Sequence, residues 1–187
     1  MATHALARAA RSVARDPVTE ARHRARRDAE RVLRALWTRG DDEVPLPVDP
    51  VVIAWRLGIH TVVTDEIADD LAGSLVKEPD EDPVIVLSER DRPNRQRFVC
   101  AHELGHFTGR RGDVGAYRYD DRRGSLFASG DPEEAYANEF AATLLMPADE
   151  VRTLVRRLPT EVELAWRFDV SREAMRLRLA QLGLGEG

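Results

Sequence analysis

The pentapeptide His102-Glu103-Leu104-Gly105-His106 restricts what this chain of 187 residues can fold into more than any other segment. Apolar residues flank it from Phe98 to Phe107, which predicts a buried helix. Side chains four residues apart lie on one face of a helix, so His102 and His106 should face the same cavity. Because burying unpaired polar groups costs free energy, these two histidines and Glu103 need partners.

A shared metal ion would supply that partner. Two imidazoles one helical turn apart can bind one ion, while Glu103 lies beside the first histidine and can take a proton from a water molecule. Zinc suits such ligands and lowers the pKa of bound water to about 7, so we predict Zn²⁺ as the cofactor. Mn²⁺ and Fe²⁺ accept the same ligands. The alternative is a surface helix that carries the pattern by chance.

A catalytic zinc site of this kind needs a third protein ligand. Seven acidic candidates follow the pentapeptide: Asp113, Asp120, Asp121, Asp131, Glu133, Glu134 and Glu139. A helix is predicted over residues 132–145, where Glu134 and Asn138 share the inward apolar face while the neighbouring glutamates lie further round. We therefore predict Glu134 as the third ligand and Asn138 as a hydrogen-bond partner of a ligand histidine. Glu134 could instead only complement the helix dipole.

The N-terminal 40 residues differ from the rest in charge. Residues 1–40 hold ten arginines and four acidic residues, although the whole chain has a net charge of −5. Their composition predicts helix over residues 1–38, with a second start after Pro17. We interpret this segment as a solvated helical extension. An arm that binds nucleic acid or an acidic partner is the alternative.

The middle of the chain predicts a mixed α+β domain. Asp49 and Pro50 start a helix that Gly58 ends. Three strands are predicted, at residues 59–63, 72–76 and 84–87. A helix then begins after Asn94 and runs through His106. Residues 108–131 are predicted to form a long loop, and another helix covers residues 148–158.

Aromatic and imidazole side chains of this region are candidates for stabilising an oxyanion. Tyr117, Tyr119 and His60 are the three residues that the sequence offers, and it does not separate them. Phe127 lies in the same predicted loop as the two tyrosines. The group that would stabilise the oxyanion is therefore left open.

The C-terminal residues have the spacing of a helix, a tight turn and a second helix. Ser171 can cap the second helix, which carries Arg172, Arg176 and Arg178. This is helix-turn-helix spacing, and DNA contact is its functional interpretation. The favoured interpretation is a helical pair that packs on the core or receives a partner.

The bulk sequence excludes some classes of protein. No apolar stretch approaches the roughly 20 residues that a membrane-spanning helix needs, and the N-terminus has no secretory pattern. Cys100, the single cysteine, cannot form an internal disulfide, which fits the cytoplasm. We divide the chain into a basic helical extension at 1–40, a zinc-site domain at 45–158 and a helix-turn-helix-like subdomain at 159–187.

Two sequence blocks resemble a known family. The blocks are residues 95–98 with 101–106, and residues 134–142 with 144–147; together they look like the ImmA/IrrE family of metallo-endopeptidases. The similarity covers roughly residues 45–183. On this resemblance His102, His106 and Glu134 match the family's zinc ligands and Glu103 its catalytic glutamate. Tyr136 departs from the family pattern, which usually has a polar or charged residue there.

The resemblance implies a zincin-like α+β core, with a small three-stranded sheet packed on helices. It implies a zinc-dependent endopeptidase whose protein substrate is a helix-turn-helix transcriptional repressor that controls a stress or mobile-element programme. The competing hypothesis is a DNA-binding or toxin–antitoxin regulatory protein with a structural or vestigial zinc site. Glu103 argues against it, because a structural zinc site has no use for a general base. No membrane contact is expected.

Overall fold

The computed structural model describes residues 16–40, 43–110, 115–123, 130–158 and 160–185. The first 15 residues of the helix predicted over residues 1–38, and the loop residue Phe127, therefore lie outside the described residues. The architecture is mixed α+β, as predicted, with a small sheet packed on helices. No helix within these ranges is both long and apolar enough to cross a membrane.

Seven helices and four strands make up the described part of the chain. In chain order they are α1 (Pro17–Leu36), α2 (Pro50–Arg56), β1 (His60–Thr64), β2 (Leu71–Lys77), β3 (Val84–Ser88), α3 (Pro93–Gly109), β4 (Tyr117–Arg122), α4 (Pro132–Leu145), α5 (Ala148–Leu154), α6 (Glu161–Phe168) and α7 (Arg172–Gln181).

Local capping signals place the helix starts, and the predictions made from them are confirmed. Asp49 accepts hydrogen bonds from the first backbone N–H groups of α2, Asp131 does so for α4, and Ser171 does so for α7. Helix α2 ends before Gly58, whose φ of 76° is a left-handed conformation that glycine adopts without steric cost.

The sheet has four strands, one more than predicted, in the order β1-β3-β2-β4. Strand β1 pairs with β3 in parallel, and β2 pairs antiparallel with both β3 and β4. Strand β4 lies inside the segment predicted to be a loop. In it the half-buried Tyr117 and Tyr119 and the buried Asp121 alternate with exposed charged residues. Four of its six residues are charged, so this short alternation is weaker than the apolar pattern that usually signals a strand.

Helix α1 is part of the core and is not a solvated extension. Ala21, Ala25 and Ala29 are buried along one side of α1, followed by Val32 and Leu33. This side packs against α4. Alanines spaced by four residues give a flat face that lets two helices approach closely. The prediction of a solvated extension followed the arginines on the other sides of the helix rather than this face.

Helix α3 lies between the sheet and α4, and two glycines allow the close contacts. A Cβ on Gly73 of β2 would lie 2.3 Å from Val99 Cγ1 of α3. A Cβ on Gly105 of α3 would lie 2.8 Å from the Cα of Ala137 in α4. Neither position has room for a larger side chain, so α3 is held closely against both layers.

Helices α6 and α7 form the predicted pair and are tied to the rest of the molecule. Asp169, in the turn between them, has a φ of 52°. Arg97 of α3 donates to the Asp169 carbonyl oxygen, and Arg167 of α6 donates to that of Leu46. Arg178 of α7 donates to the carbonyl oxygen of Met146. The pair thus packs on the core, while the three-part domain division stays a prediction.

Candidate metal centre

Helices α3 and α4 bring three of the predicted site residues together. The Nε2 atoms of His102 and His106 lie 3.0 Å apart. A carboxylate oxygen of Glu134 lies 3.5 Å from His102 Nε2, and the other lies 3.3 Å from His106 Nε2. Among the described residues, this is the one group of three or more His, Cys, Asp or Glu side chains whose possible metal-binding atoms all lie within 4.8 Å of one another.

These separations suit a tetrahedral ion such as zinc. Zinc binds imidazole nitrogen and carboxylate oxygen at about 2.0–2.2 Å, which places two tetrahedral ligand atoms roughly 3.3 Å from each other. The three observed separations bracket that value. Two neutral imidazoles and one carboxylate are also the donor set of many catalytic zinc sites, so these residues could hold the ion.

The Asn138 side chain fixes the orientation of the first histidine. Asn138 Oδ1 lies 3.1 Å from His102 Nδ1, and because an amide oxygen can only accept, the imidazole proton belongs on Nδ1. Burial, followed by the neighbouring His106, lowers the pKa of His102 to about 3. His102 is therefore neutral at physiological pH, with the lone pair of Nε2 directed at the cluster.

The surroundings of Glu134 favour its charged form, whereas those of His102 favour the neutral form. Its hydrogen bond with His106 holds the pKa of this carboxyl below its usual range, against the effect of burial. The Glu134 side chain is 29% exposed, whereas that of His102 is fully buried. The cluster is therefore open to solvent on the Glu134 side and closed by protein on the His102 side.

Glu103 is buried without a hydrogen bond to either of its carboxylate oxygens from the described residues. Burial raises the pKa of Glu103 well above the ordinary value, and the negative charges of Asp121 and Glu134 raise it further. A buried, unpaired carboxyl is costly to the fold, and such groups are concentrated where chemistry needs them.

Tyr119 of β4 stacks on the second histidine. Its ring lies 4.3 Å from that of His106, with the two planes 17° apart. The Arg110 guanidinium lies 4.7 Å from the centre of the Tyr119 ring, so an arginine, a tyrosine and a histidine form three layers. Sequence reasoning missed Arg110, and no local pattern could have placed it there.

The remaining oxyanion candidates have different positions. Tyr117 lies beside Tyr119, at a ring distance of 6.2 Å. His60 lies on β1, at the opposite edge of the sheet from β4, and its Nε2 is 3.7 Å from Asp82. The structure thus brings a tyrosine of β4 to the histidines and leaves His60 at the far edge of the sheet.

The other acidic candidates for the third ligand are not in the cluster. Asp121 lies 3.8 Å from Arg95, Asp131 caps α4, and Asp120 accepts from Arg118. Glu133 is exposed, and Asp113 lies outside the described residues.

Glu139 is a second buried carboxylate near the cluster, and it has arginine neighbours. Arg26 of α1 donates to it over 2.6 Å, while Arg178 of α7 and Arg22 of α1 lie at 3.6 and 3.7 Å. Its side chain is fully buried, although the sequence pattern predicted a position away from the inward face. The reason is that its partners come from α1 and α7, which are distant in the sequence.

Comparison with known proteins finds the same fold and a related family. Residues 54–180 match the family model described as the IrrE N-terminal-like domain, a peptidase family. The radiation response metalloprotease IrrE of Deinococcus deserti is 36% identical over 107 residues, which cover 54% of this chain. The aligned part is only 37% of that protein, so the chain spans little more than a third of its length.

A solved structure supports the architecture. A transcriptional regulator of Mycobacterium tuberculosis superposes with a TM-score of 0.55 over 88% of this chain and 51% of its own length. The two sequences are 19% identical, so the likeness concerns the fold alone.

Proposed function

The chain belongs to the IrrE N-terminal-like family of metallopeptidases, and from that premise we propose that it is a zinc-dependent endopeptidase acting on a regulatory protein. One observation carries the proposal. The donor atoms of His102, His106 and Glu134 converge within 3.0–3.5 Å, next to the unpaired buried carboxyl of Glu103. A structural metal site would have no use for that fourth group.

Zinc held by the two imidazoles and the Glu134 carboxylate would act as a Lewis acid that lowers the pKa of water and polarises a carbonyl. Asn138 would keep His102 in the tautomer with a free Nε2 lone pair. The stack of Tyr119 on His106 would hold the second imidazole in place. The metallopeptidase family and the cluster of His102, His106 and Glu134 indicate a metal ion. Zinc is our proposal for the identity of that ion.

Glu103 would act as the general base and then as the acid. Its carboxylate takes a proton from the attacking water, whose oxygen forms a bond to the scissile carbonyl carbon. It then gives this proton to the leaving amine nitrogen as the C–N bond breaks. The products are an amine and a carboxylic acid, which loses its proton to solvent, and Glu103 is returned to its starting form. Neither of its carboxylate oxygens has a hydrogen-bond partner among the described residues, so both are available for these transfers.

Strand β4 is the element on which we propose the substrate lies. It is at an edge of the sheet, and Tyr119 on it contacts His106. An extended peptide can add to a sheet edge by backbone hydrogen bonds, which would bring its carbonyl groups past the histidines. For the substrate itself we propose a cytoplasmic helix-turn-helix repressor, on the resemblance of the chain to repressor-cleaving peptidases.

The burial of one arginine of the C-terminal pair counts against the DNA-binding alternative. The other two arginines are exposed, with Arg176 paired with Glu173 at 2.8 Å and Arg172 3.7 Å from Glu161. Arg178 is buried at 3% exposure and directed to the core. A helix that reads DNA needs arginines directed to solvent and free to reach phosphates or bases.

The test is cleavage of the repressor encoded nearest to this gene, with the zinc-loaded chain at neutral pH. We expect one cut by the wild type, and a rate lower by roughly 10²–10⁴-fold in Glu103→Gln, the range for loss of a general base. Mass spectrometry of the fragments identifies the cut, and metal analysis shows whether the variant keeps its zinc.

The control is Glu173→Gln, which alters an exposed glutamate of α7 and should cleave at the wild-type rate. Equal cleavage by wild type and Glu103→Gln would refute the role of Glu103. Absence of cleavage by wild type with zinc bound would refute this substrate.

A further inference from the structure

A cavity of about 270 Å³ lies behind the metal centre, between α1, α4 and α7. Most of its wall is apolar and includes Phe98, Met146 and Leu177. One end is polar, where Arg22, Arg178 and Glu139 line it. A mainly apolar cavity with a few polar groups at one end is the usual form of a small-ligand site.

The polar end carries more positive than negative charge. Glu139 takes its hydrogen bond from Arg26 at 2.6 Å, whereas the nitrogens of Arg178 and Arg22 lie 3.6 and 3.7 Å from its oxygens. One carboxylate thus faces three guanidinium groups. Glu139 is the one acidic side chain among the described residues that line the cavity. Burial lowers the pKa of Arg178 to about 10, against the opposing charge of Glu139.

We propose that this cavity binds a small carboxylic acid with an apolar tail. The carboxylate would lie between Arg22 and Arg178, where planar guanidinium groups match it in geometry and charge. The tail would lie along Phe98, Met146 and Leu177. This site is separate from the cluster of His102, His106 and Glu134, and its occupation does not depend on peptidase activity.

The cavity is coupled to the metal centre through Asn138. Asn138 is one of the residues that line the cavity, and its side-chain Oδ1 lies 3.1 Å from His102 Nδ1. A small molecule that contacts Asn138 would therefore change the surroundings of His102, one of the proposed metal ligands. Because binding free energies are reciprocal, the factor by which the acid changes zinc affinity must equal the factor by which zinc changes affinity for the acid.

The experiment uses octanoate as the probe, with the full chain in its zinc-loaded and metal-free forms. We expect saturable binding of octanoate by calorimetry and a raised melting temperature. Octylamine and 1-octanol have the same tail but lack the carboxylate, so they should bind at least tenfold more weakly. Equal binding of all three molecules would overturn the proposal.

Two variants locate the site. Arg22→Gln should weaken octanoate binding by roughly tenfold, because it removes a charged hydrogen-bond donor from the polar end. Ala180→Phe places a ring from the exposed side of α7 into the cavity and should abolish binding. Arg176→Gln lies on the same helix outside the cavity wall and is the matched control, with unchanged affinity. All three should keep the wild-type circular dichroism spectrum.

Unchanged octanoate affinity in both Arg22→Gln and Ala180→Phe would overturn the assignment to this cavity. Chelator competition then measures zinc affinity with and without octanoate. We expect a change of threefold or more that matches the effect of zinc on octanoate affinity. Zinc affinity that is the same in both conditions would overturn the coupling through Asn138. Because none of these measurements involves cleavage, a failed repressor assay leaves them unaffected.

Discussion

Two buried glutamates on neighbouring helices have opposite surroundings. Glu139 of α4 accepts a hydrogen bond from Arg26 and has two further arginines within 4 Å, so its charge is compensated. Glu103 of α3 is equally buried and has no hydrogen-bond partner for either oxygen among the residues described. The two positions differ in what surrounds the carboxyl and hardly at all in burial.

This difference separates a carboxylate that holds the fold from one that is kept for chemistry. A buried charge stabilises only with good partners, and its loss leaves those partners unpaired. A carboxyl without partners costs stability and gains a raised pKa, which is the property that a proton-transfer group needs. Substitutions at the two positions should therefore change different measured quantities.

The largest expected effect is the loss of stability in Glu139→Gln. The substitution leaves Arg178 buried and without its counter-charge, which should lower the free energy of unfolding by about 3–5 kcal/mol. Urea unfolding of the metal-free protein measures it, and Glu133→Gln is the exposed control. A loss below about 1 kcal/mol would mean that the arginines do not need this carboxylate.

Asn138→Ala tests the residue next to Glu139 on the same helix. It removes the acceptor of the His102 Nδ1 proton, so zinc affinity should fall by about 10–100-fold. Asn138→Asp keeps an acceptor oxygen and should recover most of the affinity. Chelator competition measures both variants. If Asn138→Ala binds zinc as the wild type does, then Asn138 does not orient the histidine.

The unpaired state of Glu103 predicts a pH-dependent stability in the metal-free protein. Its carboxyl loses a proton near pH 4.3 when unfolded but at a higher pH when folded. Above pH 4.3 the folded form thus binds more protons, and stability falls as pH rises, by at most about 1.4 kcal/mol per pH unit. Glu103→Gln has no carboxyl to titrate here. Its free energy of unfolding should therefore exceed that of the wild type by an amount that grows with pH, up to the pKa of Glu103 in the folded protein.

His102 contributes a slope of the opposite sign in both proteins. Its folded pKa of about 3 lies below the unfolded value of about 6.5, so stability decreases as pH falls through that window. Urea unfolding of both proteins is measured from pH 4 to pH 8 with a chelator present. Because His102 is common to both, the difference between their free energies of unfolding isolates the contribution of Glu103. A difference that does not vary with pH would show that Glu103 is not desolvated.

The smallest expected effect distinguishes two arginines of α1. Arg26 lies 2.6 Å from Glu139 and Arg22 lies 3.7 Å away, and both are partly exposed. Arg26→Gln should cost about 1.5 kcal/mol, the value of a charged hydrogen bond, and Arg22→Gln less than about 1 kcal/mol. The same unfolding measurement applies. Equal costs would mean that the cluster responds to total charge rather than to the hydrogen bond.

That His102, His106 and Glu134 come together was largely predictable from the sequence, because the signals are local. The spacing of His102 and His106 on one helix, and the position of Glu134 on the inward face of another, follow from helical periodicity. The starts of α2, α4 and α7 follow from single capping residues. Neither kind of signal requires knowledge of the tertiary structure.

What the sequence could not predict depends on contacts between distant segments. Strand β4 is held by its pairing with β2, and four of its own six residues are charged. Glu139 is buried because arginines of α1 and α7 reach it. Arg178, which the helix-turn-helix spacing placed among residues that could contact DNA, is directed inward for the same reason. Amphipathic patterns report an apolar face and do not report a buried ion pair.

The pairing of Arg26 with Glu139 joins residues 113 positions apart in the chain, and this has a consequence for synthesis. Helix α1 leaves the ribosome long before α4, which covers its row of alanines. At about 5–20 residues per second, the interval is roughly 5–25 s. During that time the buried face of α1 has no α4 to pack on, so the nascent chain exposes it to chaperones.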